Sequence, residues 1–574
     1  MFKFIVDNYY KNKIPDWMKG TRLECLMLLD RYLDNKFYDE IPLDFNEEKT
    51  GNSYNPMHTR RPSVQHPFGS MIAGLCARKL FGGRHVPRLK HKDKNFLLKV
   101  QALVEELRLP LKMLEAVKRG SVGSVAIMFK FLATPVTDPT EENPNPEMQV
   151  KGVVEVKKAQ YCTPTFNRFQ ELTGILEHYL VPGHEMLRRN MNYYLGRDGK
   201  AYLIDPDLKY WFVKMTDNNM ECIYYPLKEH DWNPITSGLW VNNPEDALVP
   251  YPLEEENPAI HKLGFVQAVW IQNLTGGDFP DGLSTFAPAI DNFIEIDYAK
   301  SQNGRGLKYA SAPQLVLKGD LRSEAEGDGS PYQPRDPAYM IRLAADEKGS
   351  DGISASTGHD AKLLETNGAA AKASDDFIHA LKHTTFEAIC TARKDLESIK
   401  GTMSGKVIEL IDEDFLDLLQ EMRLQYGTYG YLPLVKKLCK AAAQVGHDLM
   451  VGANDVTIDG LMLDFPPLYL PDAQEIQFFA DAFMQLTAAE KPGGKGPDGT
   501  STTIKVEPLV DPALAKQFLA KQLDLVEESD DKPTMSDTVV SKDGLPEPDP
   551  QENAADSSAI DALIIPGLKG EPIS

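Results

Sequence analysis

Cysteine is scarce and scattered in this chain of 574 residues: the six, Cys25, Cys76, Cys162, Cys222, Cys390 and Cys439, form no C-x-x-C pair and no framework spacing. That excludes zinc ribbons, redox dithiol motifs and a disulfide-stapled scaffold, and it predicts reduced thiols in an aqueous, reducing compartment. Long apolar runs are missing too. No stretch of eighteen apolar residues occurs, and the start, MFKFIVDNYYKNKIPDW, turns polar at Asp7 before a signal-peptide core can form, so no membrane span or leader is expected. Basic residues are in deficit, 62 against 84 acidic, and the net charge of -22 disfavours a protein that grips nucleic acid phosphates over a large face.

Catalytic signatures are lacking as well. There is no G-x-S-x-G elbow, no H-E-x-x-H pair and no glycine-rich dinucleotide fingerprint. Gly401-Thr-Met-Ser-Gly405-Lys406-Val407 resembles a phosphate loop but has one residue too few between its glycines and a valine where a hydroxyl must follow the lysine. His379, His383 and Glu387 stand one helical turn apart, yet no second ligand cluster accompanies them, so they read as a polar stripe. His58 and His66 flank a proline-rich loop. Neither an enzyme nor a bound cofactor or metal is expected.

What is there suits a large folded chain: 42% hydrophobic and 25% charged residues, mean hydropathy -0.35, and enough glycine and proline for many turns. Apolar residues at helical intervals predict helices over Pro15–Tyr38 and Phe68–Phe81, and one amphipathic stretch over Asn95–Arg119. From Val122 to Leu253, and again at Phe265–Asn273, short β-rich runs alternate with turns, which predicts a mostly antiparallel layer. Ser284, as an N-cap, opens a helix to Ser311 carrying Phe286, Ile290, Phe293, Ile294, Asp297 and Lys300. Pro313–Gly319, with Leu315, Val316 and Leu317, reads as a strand, followed by a Gly- and Ser-rich module with one apolar run around Tyr339 and Ile341.

Ser374–Lys400 is the clearest helix by pattern, with Phe377, Leu381, Ala388, Ala392, Leu396 and Ile399 along one face. A second long helix, Asp414–Val445, is interrupted at Tyr426-Gly-Thr-Tyr-Gly430 and Pro433, where a kink is expected. Asp472–Ala489 and Asp511–Glu527 read as helices joined through a Gly-rich linker, Lys491–Thr500. From Glu527 onward twelve acidic residues and three lysines, with few large apolar residues, predict a disordered acidic tail. The fold class expected is α+β.

This order of parts resembles the portal proteins of tailed bacteriophages. Local similarity lies in Arg61-Pro-Ser-Val-Gln-His-Pro-Phe-Gly-Ser-Met-Ile-Ala-Gly-Leu-Cys-Ala-Arg-Lys-Leu-Phe-Gly82, in Ala159-Gln-Tyr-Cys-Thr-Pro-Thr-Phe166, and in the passage Gly264–Asn273, Leu283–Asp291, Pro313–Gly319. The similarity covers about residues 10–525, and its departures are a clip rich in Gly and Ser and the Gly-Gly-Lys-Gly linker. The resemblance implies a wing of residues 1–283 joined by a long kinked helix and following strands at 413–470. It implies stem helices at 284–311 and 374–399, a clip at 312–373, a tunnel loop at 400–412 and a crown at 471–526, with the acidic tail at 527–574.

It further implies a homo-oligomeric ring, twelve subunits in the family, at one vertex of the virion capsid. Such a ring conducts double-stranded DNA without sequence specificity and docks the large terminase subunit, major capsid and scaffolding proteins, and a head-tail adaptor. The loop residues facing DNA would be Lys400, Gly401, Thr402, Met403, Ser404, Gly405 and Lys406. The competing class is an oligomeric scaffold or adaptor outside this family.

Overall fold

The structure, a computed structural model, describes residues 1–11, 13–14, 18–42, 48–49, 53–54, 60–135, 148–196, 199–229, 248–252, 257–310, 314–318, 341–343, 360–364, 369–389, 413–468, 490–495 and 501–505. Helices and strands are mixed, an α+β architecture, and all the described elements belong to the unit Met1–Asp524.

At the centre lies a three-stranded antiparallel sheet, Ala268–Gln272 beside Ser124–Pro135 beside Met148–Lys158. Its middle strand reads as a nearly unbroken apolar run because both of its faces are covered. Val125, Ile127 and Phe129 point into the main helical core, while the alternate Ala126 and Met128 meet Cys162, Ile175 and Val266 of the neighbouring layer. That layer is a six-stranded sheet running Ala259–Ile260, Met220–Ile223, Lys209–Asp217, Leu172–Pro182, Cys162–Phe166, with Leu227–Lys228 also paired to Lys209–Asp217. Nine residue pairs from Lys209↔Pro182 to Asp217↔Gly174 fix its register. The alternation repeats here: Tyr210 and Phe212 pack in one cluster, Trp211 and Val213 in another.

On the other side of the central sheet pack helices Arg22–Leu33, Phe68–Phe81, Lys94–Glu106, Leu109–Gly120 and Leu432–Val445. The stretch Asn95–Arg119, expected as one amphipathic unit, is two helices. Arg108 takes a left-handed conformation, φ 51°, and Pro110 sits in the first turn of the second helix, where its missing N–H costs no hydrogen bond. The kink expected near Tyr426 takes the form of a π-helical segment, Arg423–Tyr431, between helices Glu413–Met422 and Leu432–Val445. Gly427 is required there, because a Cβ would collide with the Phe465 ring. Lys437 then fastens the last helix to the sheet, its buried ammonium donating to the carbonyls of Ala268 (2.9 Å) and Val266 (3.3 Å).

Residues 490–505 differ from expectation. In place of a linker, Glu490–Lys495 and Ser501–Lys505 pair as an antiparallel hairpin. The β-branched run Thr502-Thr503-Ile504 favours extended backbone.

Candidate functional site

The feature that sets this chain apart from an ordinary layered α+β protein is a pair of long helices bridged by a small sheet. Ser284 caps the entry: its Oγ accepts from the N–H of Ala287 (3.2 Å) and of Phe286 (3.4 Å), and a 3₁₀ turn, Ala287–Ala289, leads into helix Ile290–Ala310. The chain then forms strand Gln314–Lys318, the middle of a three-stranded sheet with Ile341–Leu343 parallel on one side and Asp360–Leu364 antiparallel on the other. It returns through helix Ala369–Ala388. Leu315, Val316, Leu317 and Ile341 thus lie in the small sheet, whose third strand carries no strong sequence signal. Tyr339 lies outside the described residues.

The two helices are antiparallel partners. Phe293, near the start of the first, meets Phe386, near the end of the second, with ring centroids 5.6 Å apart, and further along Lys300 is ion-paired with Asp375. That contact holds the Asp375 carboxyl below its usual range. At 1.5 Å per residue, the 21-residue first helix is about 31 Å long. Ile290, Phe293 and Ile294 are buried in it.

The second helix turns a different face inward from the one its pattern predicts. Ile378, Thr385 and Ile389 are buried, with Leu381 and Phe386 half-buried, whereas Phe377 is 56% exposed and Ala388 exposed. Burial of Thr385 is compatible with its polarity, because its hydroxyl donates to the carbonyl of Leu381 (2.6 Å) within the helix. The buried face lies about one residue away from the predicted one, at Ile378 and Ile389 in place of Phe377 and Ala388. Ala392, Leu396, Ile399 and the whole segment Lys400–Lys406 lie outside the described residues. His379 and His383 are exposed and face carboxylates one turn away, Asp375 at 3.5 Å and Glu387 at 3.3 Å. Among the described residues no group of three or more His, Cys, Asp or Glu is placed to hold a metal ion.

The root of this hairpin is locked into the helical core. Phe68 stacks on Phe293 at 4.6 Å and meets Phe386 edge-on at 5.8 Å, so three rings join an early helix to both members of the pair. Beside them Asp297 is wholly buried yet fully engaged. It accepts from Tyr38 Oη (2.9 Å) and from the His66 backbone N–H (3.1 Å), and its Oδ1 is 2.7 Å from His66 Nδ1. Burial raises the carboxyl's pKa above its ordinary value, against the opposing pull of His66 and Tyr38. One turn on, Ser301 Oγ accepts from Val64 N–H (3.0 Å), and Tyr298 Oη donates to the Arg60 carbonyl (3.0 Å). The loop around residues 60–67 is therefore stitched to the first long helix. Sequence reasoning named Asp297 and His66 separately and missed their pairing. The available signal was an acid among the apolar positions 286, 290, 293, 294 and 297.

A concavity of about 190 Å³ lies between the sheets, lined by Lys130, Glu155, Lys157, Glu177, Lys214 and Glu221 among others. Lys157 reaches Glu155 (2.7 Å) and Glu177 (2.8 Å), and Lys214 reaches Glu221 (2.8 Å), so its charges are compensated in place. It has the character of an ion-paired seam. No helix among the described residues is long and apolar enough to cross a membrane.

No protein-family model matches this chain, and no curated protein matches it.

Proposed function

We propose that this chain is the repeating subunit of a phage portal: a ring at one capsid vertex that passes double-stranded DNA during packaging and ejection. The observation that carries the reading is the helix, three-stranded sheet, antiparallel helix arrangement of Ile290–Ala310, Gln314–Leu364 and Ala369–Ala388, rooted in a β-rich body. The second helix of this unit is only partly buried, leaving Phe377 outward. An exposed phenylalanine on this helix fits a neighbour in a ring. The next described helix, Glu413–Met422 with its π segment, packs against the central body, and residues 400–412 lie outside the described residues.

On this reading Lys400 and Lys406 would flank a glycine-bounded loop facing DNA, in a channel whose subunits each carry a net charge of -22. A polyanion inside an acidic ring is repelled on average and slides, and the loop supplies local contact. Docking of the large terminase subunit, capsid and scaffolding proteins and a head-tail adaptor belongs to the same proposal. Electron microscopy of the purified chain, with mass measured on the same sample, tests it. A mushroom-shaped ring of about twelve subunits with an axial hole is expected. A monomer, or a compact oligomer without a hole, overturns it in favour of an adaptor or scaffold.

A further inference from the structure

One exposed segment runs against the charge of the whole molecule. Between Arg84 and Lys99 there are six lysines and arginines, Arg84, Arg88, Lys90, Lys92, Lys94 and Lys99, against a single acid, Asp93, in a chain that is acidic overall. All six are exposed.

The backbone presents them in order. Arg88–Lys90 is a strand paired antiparallel with Met462–Asp464, and its burial alternates so that Leu89 points inward while Arg88 and Lys90 share the outer face. Strand geometry sets those two about 7 Å apart. Lys94 then opens the helix Lys94–Glu106, and Lys99 follows one and a half turns later. Buried Leu89, Phe96 and Val100 pin the segment to the core, so the cations are held on a fixed frame.

Two acids of this segment and its partner strand are engaged. Asp93 caps the helix, its Oδ1 accepting from the N–H of Asn95 (2.9 Å) and of Phe96 (3.3 Å), and Asp464 lies 2.9 Å from Lys90 Nζ. Arg84, Lys92 and Lys99 make no ion pair with any described residue. Three exposed cations without carboxylate partners, carried by one ribbon of chain anchored to the core, suit attraction to a chain of anions.

We propose that this ribbon is a second, sequence-independent contact for the phosphate backbone of duplex DNA, separate from the 400–406 loop. The choice of duplex DNA among polyanions rests on the portal reading, while the polyphosphate chemistry rests on the ribbon. Binding by charge alone, without a base-reading element, gives an affinity that falls steeply with salt.

The test uses the full chain, a fluorescent duplex of mixed sequence, and anisotropy across a salt series. The variant Arg84→Ala/Lys92→Ala/Lys99→Ala should lower the magnitude of the slope of log K against log salt by about 3 and weaken binding at least tenfold near 0.1 M salt. Its thermal unfolding should stay unchanged, since all three side chains are exposed. A parallel Lys400→Ala/Lys406→Ala variant should retain the ribbon's contribution. An unchanged slope in the triple variant, or no duplex binding by the wild type at low salt, overturns the proposal. So does binding to phosphatidylserine vesicles in place of duplex, which would make the ribbon a membrane contact. Ring formation is read by mass on the same samples: a normal slope loss without rings would overturn the portal reading alone.

Discussion

Some side chains in this protein are tolerated only because burial fixes their charge state. His178 is one. It is 2% exposed, its Nε2 lies 2.9 Å from Thr163 Oγ1, and burial, reinforced by the positive charge of Arg22, lowers its pKa to about 3. In the unfolded chain the same ring titrates near 6.5. Between those values the unfolded state binds the extra proton and the folded state does not, so stability is lost as pH falls from about 6.5 toward 3. The slope contributed by this one residue reaches about 1.4 kcal/mol per pH unit. Urea midpoints followed by tryptophan fluorescence from pH 7 to pH 4 measure it. The variant His178→Gln should keep a hydrogen-bonding partner for Thr163 and flatten the acid side of the curve. An unaltered slope would mean that another group controls the acid sensitivity.

At the scale of elements, the long hairpin separates two kinds of apolar residue that sequence alone cannot separate. Ile378 is 2% exposed and Phe377, its neighbour, is 56% exposed. Ile378→Asp places a charge in the main hydrophobic core and should destabilise the chain by several kcal/mol, read as a fall in thermal midpoint and in soluble yield. Phe377→Asp should leave the single chain folded with a normal midpoint but weaken assembly, read as a shift toward monomer by mass. The reverse outcome would place the packing face where the periodicity alone puts it.

This pair also shows how far the sequence carries. Periodicity and its stop signals located helix Phe68–Phe81 to the residue, because the Gly82-Gly83 exit and the apolar spacing are local. The interruption at Tyr426–Gly430 was legible for the same reason. Which face of Ala369–Ala388 turns inward was not, since it is set by what the helix packs against, the Phe68 and Phe293 rings from distant parts of the chain. Nor was the anchor of the candidate site. Asp297 and His66 are 231 residues apart, and no local pattern reports such a pairing.

For the whole molecule, the decisive question is whether the segment between the second long helix and Glu413 works on DNA or merely joins two parts. Its sequence places Gly401 and Gly405 between Lys400 and Lys406. Two glycines lower the cost of changing loop shape, and two lysines give weak, screened attraction to phosphate. On the portal reading, removal of Thr402–Ser404 shortens an exposed loop by three residues, so expression and ring assembly should persist. DNA handling should not. In a packaging assay with rings of the deletion variant, filled capsids should fall several-fold or lose DNA after the motor detaches. Lys400→Ala with Lys406→Ala should act more gently, because the force comes from the motor and each exposed contact is screened by salt. If the deletion variant assembles, packages and retains DNA as the parent does, the loop is a connector, and the ring's acidic wall alone governs the passage of DNA.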